Sequence, residues 1–321
     1  MKVISSGETV PAPLRRGVVT IGNFDGVHLG HQFIFRRLAE EAHRESRPSV
    51  VISFDPHPKE ILHPERRPFY LITSLDEKLH LIKALGIDAL LLIPFTPNYA
   101  RISAQAFVQT VLWEQLGIHK ILIGHDYTFG RGKEGNEALL KAEGRRLGFD
   151  IEVIDAFRLQ ETTISSTLIR HTLQAGDVRL SASYLGRPYN LAGKVIHGQH
   201  RGGDLGFPTA NLAPGKEPLP PRGVYAVRVF HNGRRLDGVL NIGFNPTFDG
   251  GERTIEVHLL DFKEDLYGQI LDLLFIERLR DEIRFATVGE LLAQINRDIA
   301  RTREILAAVS SRGTLDTRET Y

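Results

Sequence analysis

The 321-residue chain contains no cysteine, which excludes disulfides, thiolate metal sites and a cysteine nucleophile. Any metal must be held by oxygen or imidazole, and the absence fits a reducing compartment such as the cytoplasm. Charge of one sign is equally lacking, since 40 lysines and arginines face 39 aspartates and glutamates for a net of +1. Such a chain has no overall field to hold it on nucleic acid or an anionic membrane, so any phosphate binding must be local. No apolar run approaches the roughly 18 residues of a spanning helix, and positions 1–13 lack the apolar segment of a secretory signal. What remains is the make-up of a globular protein, 42% hydrophobic and 25% charged, long enough for two cores and therefore for two active sites.

The first half alternates short β-branched runs with helical patterns: strands at 18–21, 50–54, 89–93, 120–123 and 151–154, helices at 32–45, 76–85, 104–116 and 136–147. This alternation predicts an α/β unit, a doubly wound parallel sheet with helices on both faces. Ligands in such sheets sit beyond the carboxyl ends of the strands, here the loops after Ile21, Phe54 and Ile123. After about residue 184 glycine and proline become frequent and apolar alternation appears at 224–230, 236–242, 254–260 and 270–276. Short strands separated by turn residues predict an antiparallel β-barrel. Leu291, Leu292, Ile295 and Ile299 fall at helical spacing and predict a closing helix. The expected division is 1–184, 185–309 and a polar, frayed tail at 310–321, with LGRPY (185–189) as the seam.

Directly after the expected first strand comes GNFDGVHLGHQ (22–32), which places His28 and His31 on the opening turn of a helix. Free backbone N–H groups and the positive end of the helix dipole gather there. Gly26 and Gly30 allow phosphates to approach the backbone. A plain turn with two solvent-facing histidines would explain a bare HxGH string, but its place after a strand favours an anion site. ISSTLIR (164–170) adds a helix-capping Ser165 or Ser166 and, one turn on, the guanidinium of Arg170. GRGKEG (130–135) formally matches a dinucleotide fingerprint, yet it is displaced from its strand, so a mobile loop near the adenylate site is expected instead. None of the Gly-Lys pairs is followed by serine or threonine, so there is no Walker A sequence.

In the second half, HGQHRGGDLGFPTANL (197–212) offers glycines for a tight flap. If PTAN is extended, Thr209 and Asn211 share one face. A hydroxyl and an amide oxygen side by side suit Mg²⁺ carrying ATP phosphates. Glu256 lies in the alternating stretch TIEVHLLDF (254–262). A solvated strand glutamate or a Pro-initiated edge strand would be the plain alternative for each.

GNFDGVHLGH, FDPHP (54–58), ITSLDEK (72–78), GHDYTFG (124–130) and ISSTLIR, followed by PTAN, the Glu256 strand, DLYG (265–268) and RDEIRF (280–285), succeed one another over almost the whole chain. In this order the chain resembles the bacterial bifunctional riboflavin kinase/FMN adenylyltransferases. The resemblance implies a nucleotidylyltransferase domain followed by a riboflavin kinase barrel. The two would phosphorylate riboflavin to FMN and adenylylate FMN to FAD, using ATP and Mg²⁺ and releasing pyrophosphate. It implies that Gly22, Phe24, Asp25, His28, Gly30, His31, Asp126, Ser165, Ser166, Thr167 and Arg170 serve ATP in the first domain. Asp55, Pro56, His57, Pro58, Tyr127 and Phe129 would then line its flavin site. In the barrel it implies Gly198, Arg201, Gly206, Pro208, Thr209 and Asn211 for ATP and Thr209 and Asn211 for the metal. Arg280 and Phe285 would serve the flavin, and Glu256 the flavin and the base. His28 and His31 are the catalytic residues of the adenylyl transfer in this reading.

The chain departs from that pattern at Arg201, Gly202, Gly203 and Asp204, where relatives have RGR, and at Asn245, where arginine is common. The expected partners are riboflavin, FMN, FAD, ATP and pyrophosphate, with no nucleic acid and no membrane, in a cytoplasmic monomer or weak homo-oligomer. The competing readings are a flavin- or nucleotide-binding protein with only one activity retained, and an adenylyltransferase for another acceptor.

Overall fold

A computed structural model describes residues 1–5, 7–66, 69–198, 205–217, 220–245 and 252–311. The expected Arg201 contact, the departures at 201–204 and the tail beyond 311 lie outside these residues. The described chain divides into two compact units, the first formed by 1–69 and 75–165, the second by 70–74 and 166–321.

The first unit is built on six strands: β1 (Lys2–Ser5), β2 (Val18–Ile21), β3 (Ser49–Asp55), β4 (Ala89–Pro94), β5 (Lys120–Gly124) and β6 (Asp150–Ile154). All pair in parallel, in the order β1-β4-β3-β2-β5-β6. The strand expected to be first is therefore the second. β1 escaped the sequence pattern because it is a four-residue edge strand with Ile4 alone buried. Alternate residues feed two cores. Val19, Ile21, Val50, Ile52, Leu91 and Ile121 face one way, and Val18, Val51, Leu90 and Leu122 the other. Helices cover both faces, as the doubly wound expectation requires. The second core holds Phe35 and Leu38 of α1 (Leu29–Arg44) and Ile82 of α3 (Leu75–Ala84), which follows the one-turn α2 (Pro58–Leu62). Each such side chain contributes about 1.5–3 kcal/mol on burial. The first core packs against α4 (Ala104–Phe107), which widens into a π-helical stretch (Val108–Gln115), and α5 (Glu137–Leu147).

A charge network also holds α1 to the sheet. Buried Glu41 accepts from Lys120 Nζ at 2.5 Å, while Glu152 of β6 takes Lys120 at 3.0 Å and Arg37 at 2.9 Å. Burial disfavours the Lys120 charge, but its bonds to Glu41 and Glu152 outweigh that and raise its pKa. The network ties the C-terminal half of α1 to β5 and β6.

In the second unit, six strands close an antiparallel barrel: β9 (Tyr189–Ile196), β10 (Ala210–Pro214), β11 (Gly223–His231), β12 (Arg234–Asn245), β13 (Glu252–Leu259) and β14 (Ile270–Arg280). They follow β7 (Arg158–Leu159) and β8 (Thr162–Thr163), a two-stranded ribbon of the first unit. β9, not expected from the sequence, pairs with both β10 and β14 and completes the ring. Two helices, α6 (Ser166–Gln174) and α7 (Val178–Leu185), precede the barrel and group with it. The expected closing helix is α8 (Val288–Ser311). Its Ile305 and Leu306 pack on Ala226, Leu274 and Ile276, and buried Arg228 donates to the Leu306 carbonyl at 2.8 Å. Among the described residues no helix is long and apolar enough to cross a membrane.

Candidate active sites

At the carboxyl end of β2 the chain turns sharply on Gly22, where a Cβ would come within 2.9 Å of the Phe24 ring. Phe24, at a positive φ of 51°, tucks that ring against Phe35 and under the edge of His31. His28 is the N-cap of α1, with its Nδ1 accepting from the His31 backbone N–H at 3.3 Å. The two imidazoles stack with centroids 3.6 Å apart. A Cβ at Gly30 would press on His28 Cε1 at 3.1 Å, so a side chain there would crowd the stack. Desolvation, then the proximity of His28 and Lys78, holds His31 well below the usual imidazole pKa. It is therefore neutral at pH 7, and its buried Nδ1 has no hydrogen-bond partner. Asp25 is buried in the same turn.

The neighbouring loop continues from β3. His57 caps α2, accepting from Lys59 N at 3.1 Å, and its own N–H donates to Glu60 at 3.2 Å. Pro58 opens that helix, and Asp55 and Pro56 precede it across a cis bond. His57 therefore serves as a cap, with its ring against Phe69. After β5, Tyr127 stacks on Phe129, while Phe129 is itself buried and packed on Phe107. Asp126 is exposed, beside His125. In the second unit, Ser166 opens α6 directly after Ser165, Thr167 is exposed, and Arg170 Nε donates to the Tyr70 carbonyl at 2.9 Å. The loop 130–135 is anchored: Arg131 N reaches Ile102 O at 2.8 Å and Glu134 accepts from Ala104 N at 2.9 Å. Its Gly130 and Gly135 are required because a Cβ would meet Ala104 within 2.8 Å. These glycines answer to packing.

In the barrel, register decides the geometry. Asn211 of β10 lies directly opposite Glu256 of β13, and Glu256 is also opposite Asn241 of β12. Opposed residues of an antiparallel pair project to the same face. Thr209 Oγ1 donates to Glu256 Oε2 at 3.4 Å. Two cavities meet at this threonine. One, of about 390 Å³, includes Pro208, Thr209, Leu259, Phe262 and Tyr267 in its walls. The other, of about 320 Å³, includes Thr209, Glu256, Arg280, Phe285 and Ile295. Gly198 abuts the Asn211 amide, and Gly206 takes a φ of 84° in the turn before Phe207. His197 stacks on Tyr267 at 4.2 Å. Arg280 forms a bidentate pair with Asp298 of α8, Nη2 to Oδ2 at 2.7 Å and Nε to Oδ1 at 3.1 Å.

Two adjoining cavities that share a hydroxyl in contact with a carboxylate suit a reaction between two substrates, and comparison with known proteins agrees. A family model for FAD synthetase matches residues 10–168, and one for riboflavin kinase matches 185–306. The bifunctional riboflavin kinase/FMN adenylyltransferase of Escherichia coli strain K12 is 40% identical over 294 residues, covering 91% of this chain and 94% of its own. That of Haemophilus influenzae is 36% identical over 300 residues, covering 93% and 97%. This chain belongs to the bifunctional riboflavin kinase/FMN adenylyltransferase family. The fold also matches a solved structure described as a macrolide-efflux protein from Streptococcus pneumoniae, with a TM-score of 0.85 and 31% identity over 94% of this chain and 99% of that one.

Within this family fold, several residues at the sites escaped sequence reasoning. Tyr99 joins Phe54 and Phe95 in an aromatic cluster at the ends of β3 and β4. Burial raises its pKa and leaves its hydroxyl without a hydrogen-bond partner. Burial likewise raises Tyr127, helped by Tyr99. No spacing signal could have joined these residues, because they come from different loops. Leu291, Ile295 and Ile299 of α8, expected to pack on the barrel, also line the smaller cavity with Asp298. Among the described residues no group of three His, Cys, Asp or Glu could hold a metal. The oxygens of Thr209, Asn211 and Glu256 instead suit an ion that keeps waters and substrate phosphates among its ligands, as Mg²⁺ does.

Proposed function

We propose that the chain makes FAD from riboflavin in two ATP-dependent steps, with residues 1–184 as the adenylyltransferase, 185–309 as the kinase and Mg²⁺ as the cofactor. The observation that carries the kinase assignment is the Thr209–Glu256 contact at the junction of two cavities. A ribityl hydroxyl must lose its proton as it attacks the γ-phosphorus, and Glu256 is placed to take that proton. Thr209 and Asn211 would hold the magnesium ion, which neutralises charge on the transferred phosphoryl group. The larger cavity takes the nucleotide beside Pro208, and Gly198 and Gly206 serve ATP in this reading. The smaller takes the flavin against Phe285, with Arg280 held by Asp298.

In the adenylyltransferase the acceptor is the phosphate of FMN, mostly ionised at neutral pH because its second pKa is about 6. No general base is needed there, and catalysis reduces to positioning and charge stabilisation. Neutral His31 can donate one N–H to a phosphate oxygen, and the α1 N-terminus with Gly22, Asp25, His28 and Gly30 frames the triphosphate. Ser165, Ser166, Thr167, Arg170 and Asp126 complete ATP binding in this reading. Asp55 to Pro58, Tyr127 and the buried Phe129 form the flavin side. The protein works in the cytoplasm as a monomer or weak homo-oligomer, without nucleic acid or membrane.

Purified chain given riboflavin, ATP and Mg²⁺ is expected to form FMN and then FAD, separated by chromatography. Glu256→Gln should stop FMN formation while supplied FMN is still adenylylated, and His31→Ala should let FMN accumulate. If both variants ran both steps at the wild-type rate, the residue assignments would be wrong.

A further inference from the structure

Lys78 is one of the few buried cations of the first unit, on the second turn of α3. Its Nζ donates to Ser53 Oγ and to the Phe54 carbonyl, each at 3.3 Å. Both acceptors are uncharged, and Ser53 Oγ passes the contact on to the Asn23 carbonyl at 3.3 Å. The ammonium is thereby held where the ends of β2 and β3 meet. Asp25 and Asp55 act on it through space, against the desolvation that lowers its pKa. Its charge in turn reaches His31. A buried ammonium hydrogen-bonded to neutral oxygens is costly unless an anion joins it, and a lysine needed only to tie helix to strand could be replaced by an apolar residue with gain.

From this placement we infer that Lys78 is a catalytic residue of adenylyl transfer, binding the phosphate monoester of the acceptor as it meets the α-phosphorus of ATP. The inference rests on the adenylyltransferase reading above. The triphosphate belongs at the mouth of α1, beside the stacked histidines. Lys78 is held at the end of β3, where the chain enters Asp55–Pro58, so in this reading its ammonium serves the acceptor's flank of the reacting phosphorus. An acceptor phosphate oxygen forms the new bond to the α-phosphorus, the bond from that phosphorus to the α–β bridging oxygen breaks, and its electron pair leaves with pyrophosphate. Lys78 transfers no proton. It offsets repulsion between two anions that must come into bonding contact, a service for which a fixed buried cation is suited.

The test compares the wild-type chain with Lys78→Met and Lys78→Arg, each measured for FMN adenylylation, for riboflavin phosphorylation and for thermal unfolding by circular dichroism. Loss of one preorganised charge donor should lower kcat/KM for FMN by about 100-fold in Lys78→Met. The KM for ATP and the phosphorylation rate should hold, the unfolding transition should not fall, and Lys78→Arg should recover part of the loss. Wild-type adenylylation in Lys78→Met would overturn the inference. So would a defect confined to the KM for ATP, or a loss of activity matched by a lower unfolding transition that Lys78→Arg does not relieve. If the wild-type chain itself phosphorylated riboflavin but did not adenylylate FMN, the broader functional reading would fail instead.

Discussion

Replacing Gly198 by alanine isolates the kinase site with a single methyl group. A Cβ at this position would lie 2.0 Å from Asn211 Nδ2, 2.4 Å from its Cγ and 2.8 Å from its Oδ1. Non-bonded carbon requires about 3.5 Å, so the amide must retreat by about 1.5 Å. The amide is the free end of a side chain with two torsions, so the strands need not move and the folding cost is expected at about 1–3 kcal/mol. The functional cost is larger. Magnesium holds its ligands at about 2.0–2.1 Å in near-octahedral geometry, and a displacement of that size removes Asn211 from the coordination sphere. Misplacement by about 1 Å can cost on the order of 100-fold in rate. FMN formation by Gly198→Ala should therefore fall by about two orders of magnitude, with half-saturation moved to higher Mg²⁺, while supplied FMN is adenylylated normally. Initial rates across a magnesium series, with products separated by chromatography, provide the measurement. An unchanged kcat at an unchanged half-saturating magnesium concentration would refute the assignment of Asn211.

Further outcomes follow from the charge pairs. Lys120→Met removes the 2.5 Å partner of the buried Glu41 carboxylate, which keeps Arg44 and Arg37, and should destabilise the first unit by about 1.5 kcal/mol in urea unfolding; no change would mean the network is dispensable. Asp298→Ala strands Arg280, which is 18% exposed. It should cost about 3 kcal/mol in the second unit and raise the KM for riboflavin, because the segment bearing Phe285 follows Arg280 directly. Acid should weaken the first unit. The folded-state pKa of His31 lies well below the ordinary imidazole value of about 6.5, so the unfolded chain takes up a proton that the native state refuses, and stability falls as pH drops below about 6.5. Glu152 is depressed as well, its bonds to Arg37 and Lys120 outweighing desolvation, and its contribution is likewise lost as pH falls through its folded pKa. Thermal melts from pH 8 downward should show this slope, and His31→Gln should flatten its upper part.

The strands of both units were legible where residues alternate or run apolar over several positions, as in 50–54 or 270–276, because burial of a sheet face demands that pattern. β1 was not legible, being four residues with one buried side chain, and β9 was hidden by its position against the LGRPY seam. The HxGH and PTAN motifs were legible because their chemistry depends on residues a few positions apart, which local backbone geometry brings together. His57, expected at the flavin site, also caps α2, a role set by the neighbouring Lys59 and Glu60.

From the sequence alone came the two-unit plan, the parallel sheet followed by a barrel, and the identity of the motifs, because periodicity and short-range spacing are written in the order of residues. Only the tertiary structure decided that Asn211 stands opposite Glu256, that the charge of Lys78 reaches His31, and that α8 walls a cavity as well as closing a barrel. Strand register and helix docking depend on which distant surfaces bury each other, and that choice is made by the whole core at once.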